Sequence, residues 1–183
     1  MKGPSVLQRL AQFAQDKRGV SAVEFAMLLP LMVTLYLGTT EISQGVGIDR
    51  KVTLTTRTAA DLVSQVSSVA TTDMTNILNA ASSVIQPYDS TKLKVTVSAV
   101  SIDANLNPTV AWSCKWQGTK RAVGSSVTLP TALKIANTQL IFSEVSYAYK
   151  PTIGYVITGT LNLSDQIYMR PRLSDTVTGP SSC

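Results

Sequence analysis

The sequence contains no histidine. That removes the side chain most often used as a general base near neutral pH, and with it the commonest metal ligand. Cysteine is nearly as scarce. Cys114 and Cys183 lie far apart and make no zinc knuckle by themselves. No Gly-x-Ser-x-Gly nucleophile motif occurs, and Asp61 and Asp73 show no convergence as a carboxylate pair. The chain therefore reads as a non-enzyme with no cofactor and no metal. A dense basic patch is missing too. The formal net charge is +5, but Lys2, Arg9, Lys17 and Arg18 against Asp16 give the first 19 residues +3, leaving +2 for the other 164. The later cations are scattered, which argues against a nucleic-acid partner. Neither an internal repeat nor a low-complexity tract is evident. At 183 residues the chain suits one domain with a sizeable core and is short for two.

Charge is scarcest from Val20 to Thr40, 21 residues with Glu24 as the single charged side chain. As a helix this stretch spans roughly 31 Å, close to the hydrocarbon core of a bilayer. Pro30 sits in its middle, where lipid-embedded helices tolerate a proline with a kink and one lost backbone bond. Lys17 and Arg18 abut the run on one side and Glu41 on the other, which puts the N-terminus in the cytoplasm although Arg50, Lys51 and Arg57 follow. Two other readings stay open. A cleaved secretory signal would have a shorter apolar region, about 7–15 residues, and a better cleavage site than Gly38-Thr39-Thr40-Glu41. A buried core helix is the second, although the run is long for one.

An ionisable residue inside a membrane helix is a functional candidate. If the helix began at Val20 with a free amine, Glu24 would be its fifth residue. There the macrodipole favours a carboxylate, and the amine of a neighbouring, axially displaced chain would offset its desolvation. The plainer alternative is a side chain that snorkels to the headgroups.

The stretch Gly19-Val20-Ser21-Ala22-Val23-Glu24-Phe25 resembles the processing site of type IV prepilins. The longer run RGVSAVEFAMLLPLMVTLYLGTTEI resembles the TadE-like family of tight-adherence (Flp) pilus proteins, which are minor pilins or pseudopilins. Arg18-Gly19, Ala22 through Ala26, Pro30 and Gly38 carry the likeness. One feature departs from the major Flp pilins, which resemble Gly-x4-Glu-Tyr and are much smaller: Phe25 stands in place of the tyrosine. The resemblance implies cleavage between Gly19 and Val20 by a prepilin peptidase, with Glu24 and Phe25 used in assembly. It implies other pilins, the inner-membrane assembly platform and membrane lipid as partners. The implied location is a single pass of the inner membrane with a periplasmic head, or incorporation in the pilus. The implied role is pilus biogenesis supporting surface adhesion and biofilm formation. An unprocessed membrane-anchored envelope scaffold or binding protein is the alternative. Glu144 to Pro151 and Arg170-Pro171-Arg172 are similar to later segments of the same family.

The expected fold is α+β and pilin-like: a leader over 1–19, a transmembrane helix over 20–40, a helical stalk over 41–86 and a β-rich head over 87–183. Val52, Thr55, Ala59, Leu62, Val63, Val66, Val69 and Ala70 recur at helical spacing, so the first helix is expected to reach about residue 70. Gly45 and Gly47 are candidate bend points. A second helix is expected over 73–86, capped by Thr72 or Asp73. Period-two alternation then predicts strands from 93, over 109–117 after the Asn105–Pro108 turn, over 138–149, over 154–163 and over 165–171. The loop 118–137 is polar, with a helical turn expected at its end. Trp112, Cys114 and Trp116 fall on one face of a strand, which makes Cys114 a core-side thiol. A Cys114–Cys183 disulfide in an oxidising compartment would close a loop of about 70 residues, worth roughly 4 kcal/mol. A reactive thiol is the alternative, without a histidine to activate it. Arg170 and Arg172 are candidates to pair with Glu144 or a neighbouring subunit; solvated arginines are the simpler reading.

Overall fold

The computed structural model describes residues 18–151, 154 and 158–183. Most of the expected leader therefore lies outside the described residues, as does part of the strand expected at 154–163.

Helix α1 runs unbroken from Arg18 to Ser64, 47 residues, or about 70 Å. Its sequence is rich in threonine, a poor helix former. The hydroxyls resolve this by turning back on the helix. Thr34 donates to the Pro30 carbonyl at 2.7 Å, Thr39 to Leu35 at 2.8 Å, Thr55 to Lys51 at 2.9 Å and Thr56 to Val52 at 2.8 Å. A hydroxyl that bonds within its own helix is satisfied in lipid and in a protein core alike.

The two halves of α1 have different surroundings. Up to Leu37 the helix is almost wholly exposed. From Gly38 onward it buries a stripe at spacings of three and four: Gly38, Glu41, Gly45, Ile48, Val52, Thr55, Thr56, Ala59, Ala60 and Val63. That stripe packs on the sheet. Helix α2, Thr71–Ser83, lies beside α1 and buries Met74, Leu78 and Ala81.

The sheet has four antiparallel strands: β1 (Leu93–Ile102), β2 (Pro108–Trp116), β3 (Thr138–Tyr149) and β4 (Leu161–Met169), in the order β2-β1-β3-β4. Register puts Val97 opposite Cys114 and Ser143, and Val95 opposite Trp116 and Val145. With Ile141, Tyr147 and Tyr149 these residues form the face covered by both helices, and they make one core with Val52, Ala59, Val63, Leu78 and Ile85. A smaller core on the other face joins Val100, Val110, Leu140 and Phe142 to Val127 and Leu129 of the long loop. The architecture is α+β, as expected, with a long apolar helix ahead of a short helix and an antiparallel sheet.

Several details depart from expectation. Helix α1 stops at Ser64, not near residue 70. There the Arg172 N–H takes the Ser64 carbonyl at 2.8 Å, and Ser67, Val69 and Thr178 exchange backbone bonds. A tertiary strand-like pairing thus replaces the helical continuation that periodicity favoured. The N-cap of α2 is Ala70, without a side-chain cap, instead of Thr72 or Asp73. Gly45 and Gly47 do not interrupt α1. They admit tyrosines: a Cβ on Gly47 would sit 2.7 Å from the Tyr88 hydroxyl, and one on Gly45 would sit 3.5 Å from the Tyr149 ring. Where two C-terminal strands were expected, at 154–163 and 165–171, there is one described strand, β4, which spans their junction. The polar alternation of β1 looked half-exposed, yet Thr96 and Ser98 are buried, because the loop after β2 folds over that face.

Candidate assembly surface and the strap that frames the head

The first turns of α1 carry Gly19, Val20, Glu24 and Phe25, all exposed. Val20 and Phe25 show 57% and 58% of their surface, and Met27 shows 77%. Among the described residues, Glu24 makes no hydrogen bond or ion pair. Nothing described lies within 4 Å of a Cβ built on Gly19. Neither packing nor a left-handed backbone therefore requires glycine at that position. Met27 to Tyr36 continue the apolar surface around the whole helix, and among the described residues one helix, this one, is long and apolar enough to cross a membrane. A soluble monomer seldom leaves so large an apolar surface bare. Lipid or other helices are its chemical complements.

Where the bare half ends, the head begins. Tyr149 donates its hydroxyl to the Glu41 carbonyl at 3.2 Å, tying β3 to the helix at the point where burial starts. Burial raises the Tyr149 phenol above its ordinary pKa, with the Glu41 and Tyr88 charges adding to the shift. The phenol thus stays a neutral donor at physiological pH.

The C-terminal segment forms a strap across the head. Cys183 is bonded to Cys114 in a disulfide with the Cα atoms 5.1 Å apart. Before it, Trp112 Nε1 donates to the Val177 carbonyl at 2.9 Å, and the Val177 N–H donates to Gln139 Oε1 at 2.7 Å. Gly179 lies directly against the Trp112 indole, where a Cβ would collide with the ring. Arg172 places Nη2 2.6 Å from Asp61 Oδ1 as a charge contact, near the C-terminal end of α1 where the helix dipole favours a cation. Arg172 therefore meets Asp61, and Glu144 meets Arg121, so the expected pairing of Arg170 or Arg172 with Glu144 does not form.

The Arg121–Glu144 pair had no signal in the sequence beyond two charges 23 residues apart. Arg121 Nε and Nη2 reach the two carboxylate oxygens at 2.6 and 2.7 Å. The guanidinium also sits 5.0 Å over the Phe142 ring, which stacks on Tyr168 at 4.4 Å between centroids. The Glu144 hydrogen bonds raise the Arg121 pKa further, against a smaller opposing effect of burial. Among the described residues no group of three or more His, Cys, Asp or Glu side chains gathers where a metal ion could be held.

Residues 19–61 match the family of TadE-like proteins. That segment is TadE-like. The match begins at Gly19, takes in the bare half of α1 and most of the stripe under the sheet, and stops three residues short of the helix end. The sheet and the strap lie outside it. No curated protein and no solved structure matches the chain. A TadE-like segment points to a part in tight-adherence pilus assembly, and a single N-terminal apolar helix fits a single-pass membrane anchor in such a system.

Proposed function

We propose that this protein is a peptidase-processed minor pilin or pseudopilin of a tight-adherence pilus, anchored in the inner membrane with its head in the periplasm. The observation that carries the reading is the start of α1. Glu24, without a partner among the described residues, stands five residues after a glycine that the described fold does not need, on a helix whose apolar surface is left bare by those residues. Cleavage after Gly19 gives Val20 a free ammonium group. The Glu24 carboxylate of one subunit pairs with the amine of a displaced neighbour, and the apolar faces pack around that pair. Pro30 provides a point where packed helices bend. The head supplies specificity at the surface of the assembly, which supports adhesion and biofilm formation. Its direct partners are the prepilin peptidase, other pilins and the assembly platform.

The test is co-expression with the prepilin peptidase, followed by N-terminal sequencing and intact mass. The expected product begins at Val20. An intact Gly19 under conditions where a known prepilin is cleaved would refute processing and leave an unprocessed membrane-anchored scaffold. Glu24→Gln should insert normally and fail to support piliation; unchanged piliation would remove the carboxylate from the mechanism.

A further inference from the structure

On the face of the sheet away from the helices, a groove of about 720 Å³ runs across β1, β3 and β4 beside the loop after β2. Its size falls within the roughly 300–1,000 Å³ typical of ligand sites. Register explains its chemistry. Lys94, Ser146 and Ser164 form one cross-strand row, and Thr96, Glu144 and Gln166 form the next. Val145 and Asp165 also border the groove, but they alternate onto the helix-covered face. The groove side chains are therefore hydroxyls, an amide and charges, with no large apolar anchor among them.

The polar groups divide sharply by how they are satisfied. Glu144 is neutralised by Arg121, and Thr96 donates to the Thr119 carbonyl at 3.1 Å. Lys120 has a long contact, 3.5 Å, to the Cys183 carbonyl. Lys94, Ser146, Ser164 and Gln166 make no hydrogen bond with the described residues, and Lys94, Ser164 and Gln166 are exposed. The backbones of β1 and β3 beneath are paired on both sides and β4 is paired to β3, and backbone groups lie in the plane of the sheet, so recognition on this face must come from side chains. Strand addition is unavailable on a sheet face. An apolar peptide side chain would find no pocket. A ligand that both donates and accepts, with a negative charge for Lys94, fits all four groups.

We infer that this groove is a binding site for an acidic saccharide, in which Lys94 takes a sugar carboxylate and Ser146, Ser164 and Gln166 take ring hydroxyls. The site is independent of processing at Gly19 and stands or falls separately from the pilin reading.

The experiment uses the full chain in detergent micelles and titrates three probes by calorimetry. These are tetragalacturonate, its fully methyl-esterified counterpart, and a tetraglutamate peptide carrying the same number of carboxylates without hydroxyls. Tetragalacturonate should bind, with the ester and the peptide each at least about tenfold weaker, as loss of a charged or a polar set of hydrogen bonds predicts. Lys94→Gln should weaken tetragalacturonate about tenfold and leave the ester unchanged. Gln166→Ala should weaken both sugars. Since both residues are exposed, circular dichroism should show an unaltered fold. No binding of tetragalacturonate, binding untouched by both variants, or equal binding of the peptide would each overturn the assignment. The last result would make the groove a site for acidic peptides.

Discussion

Removing the disulfide by Cys183→Ser tests how much of the head depends on its strap. The bridge closes a loop with a sequence separation of 69, for which chain entropy gives roughly 4 kcal/mol at 25 °C. Cys183 is exposed, so the change opens no cavity, and Cys114, only 1% exposed, remains as a small apolar core residue. The strap keeps its other fastenings: Trp112 to Val177, Val177 to Gln139, and the backbone bonds of Thr178 with Ser67 and Val69. The variant should therefore fold and melt early. At about 2–4 °C per kcal/mol for a chain of this size, the midpoint should fall by roughly 8–16 °C. Trp112 and Trp116 flank Cys114 on β2, so tryptophan fluorescence during heating in detergent reads the region directly. Wild-type protein in reductant should reproduce the variant. A midpoint within about 2 °C of the oxidised wild type, for either sample, would show that the closed loop adds nothing and that the hydrogen bonds alone hold the segment.

Gly179→Ala should lower the midpoint of the oxidised protein, because a Cβ meets the Trp112 ring, and a blue-to-red shift in tryptophan emission should accompany it; unchanged stability would refute the close approach. A double-mutant cycle on Arg121 and Glu144 should give a coupling near 1 kcal/mol, since the pair is bidentate but its side chains remain 34% and 31% exposed. Coupling below about 0.2 kcal/mol would remove the pair from the head's stability. Asp103 accepts from the Asn107 and Asn105 N–H groups, both at 2.8 Å, and these bonds hold its pKa below the ordinary aspartate range. Its folded pKa is thus below its unfolded one. The stabilisation is present above the unfolded value and is lost as pH falls through the folded one. A carboxyl titration by NMR should find Asp103 below ordinary aspartates, and an ordinary or raised value would contradict the turn geometry.

Much of this architecture was legible in local sequence. The apolar run, the three-and-four spacing from Val52 onward and the alternation of Thr138–Tyr149 are periodic signals that tertiary contacts only reinforce. What escaped was set by distant partners. Nothing near Ser64 announces a helix end, because the group that ends it, the Arg172 N–H, is over a hundred residues away. Thr96 and Ser98 look like a solvent face because their pattern is right for one. Their burial depends on a loop that brings the Thr119 carbonyl to Thr96, while Ser98 bonds to Ser113 at 2.8 Å. Arg121 looked like one cation in a polar loop and proves to anchor that loop to β3. The start of α1 is different: Gly19 and Glu24 stand out in sequence, and among the described residues the fold gives Gly19 no close neighbour and Glu24 no polar partner.

The strap also defines how the head would carry tension. A pull along α1 enters the sheet through the stripe from Gly38 to Val63 and reaches its end at Ser64, where Arg172 and Thr178 hold the next turn of chain. Those residues lead to Cys183, bonded to the middle of β2. Helix end and far sheet edge are thereby linked through the strap, by a hydrogen bond at Ser64 and by the disulfide at Cys114. Sliding the helix out of the head would require shearing the strap's hydrogen bonds together, whereas peeling from a free tail would break them one at a time.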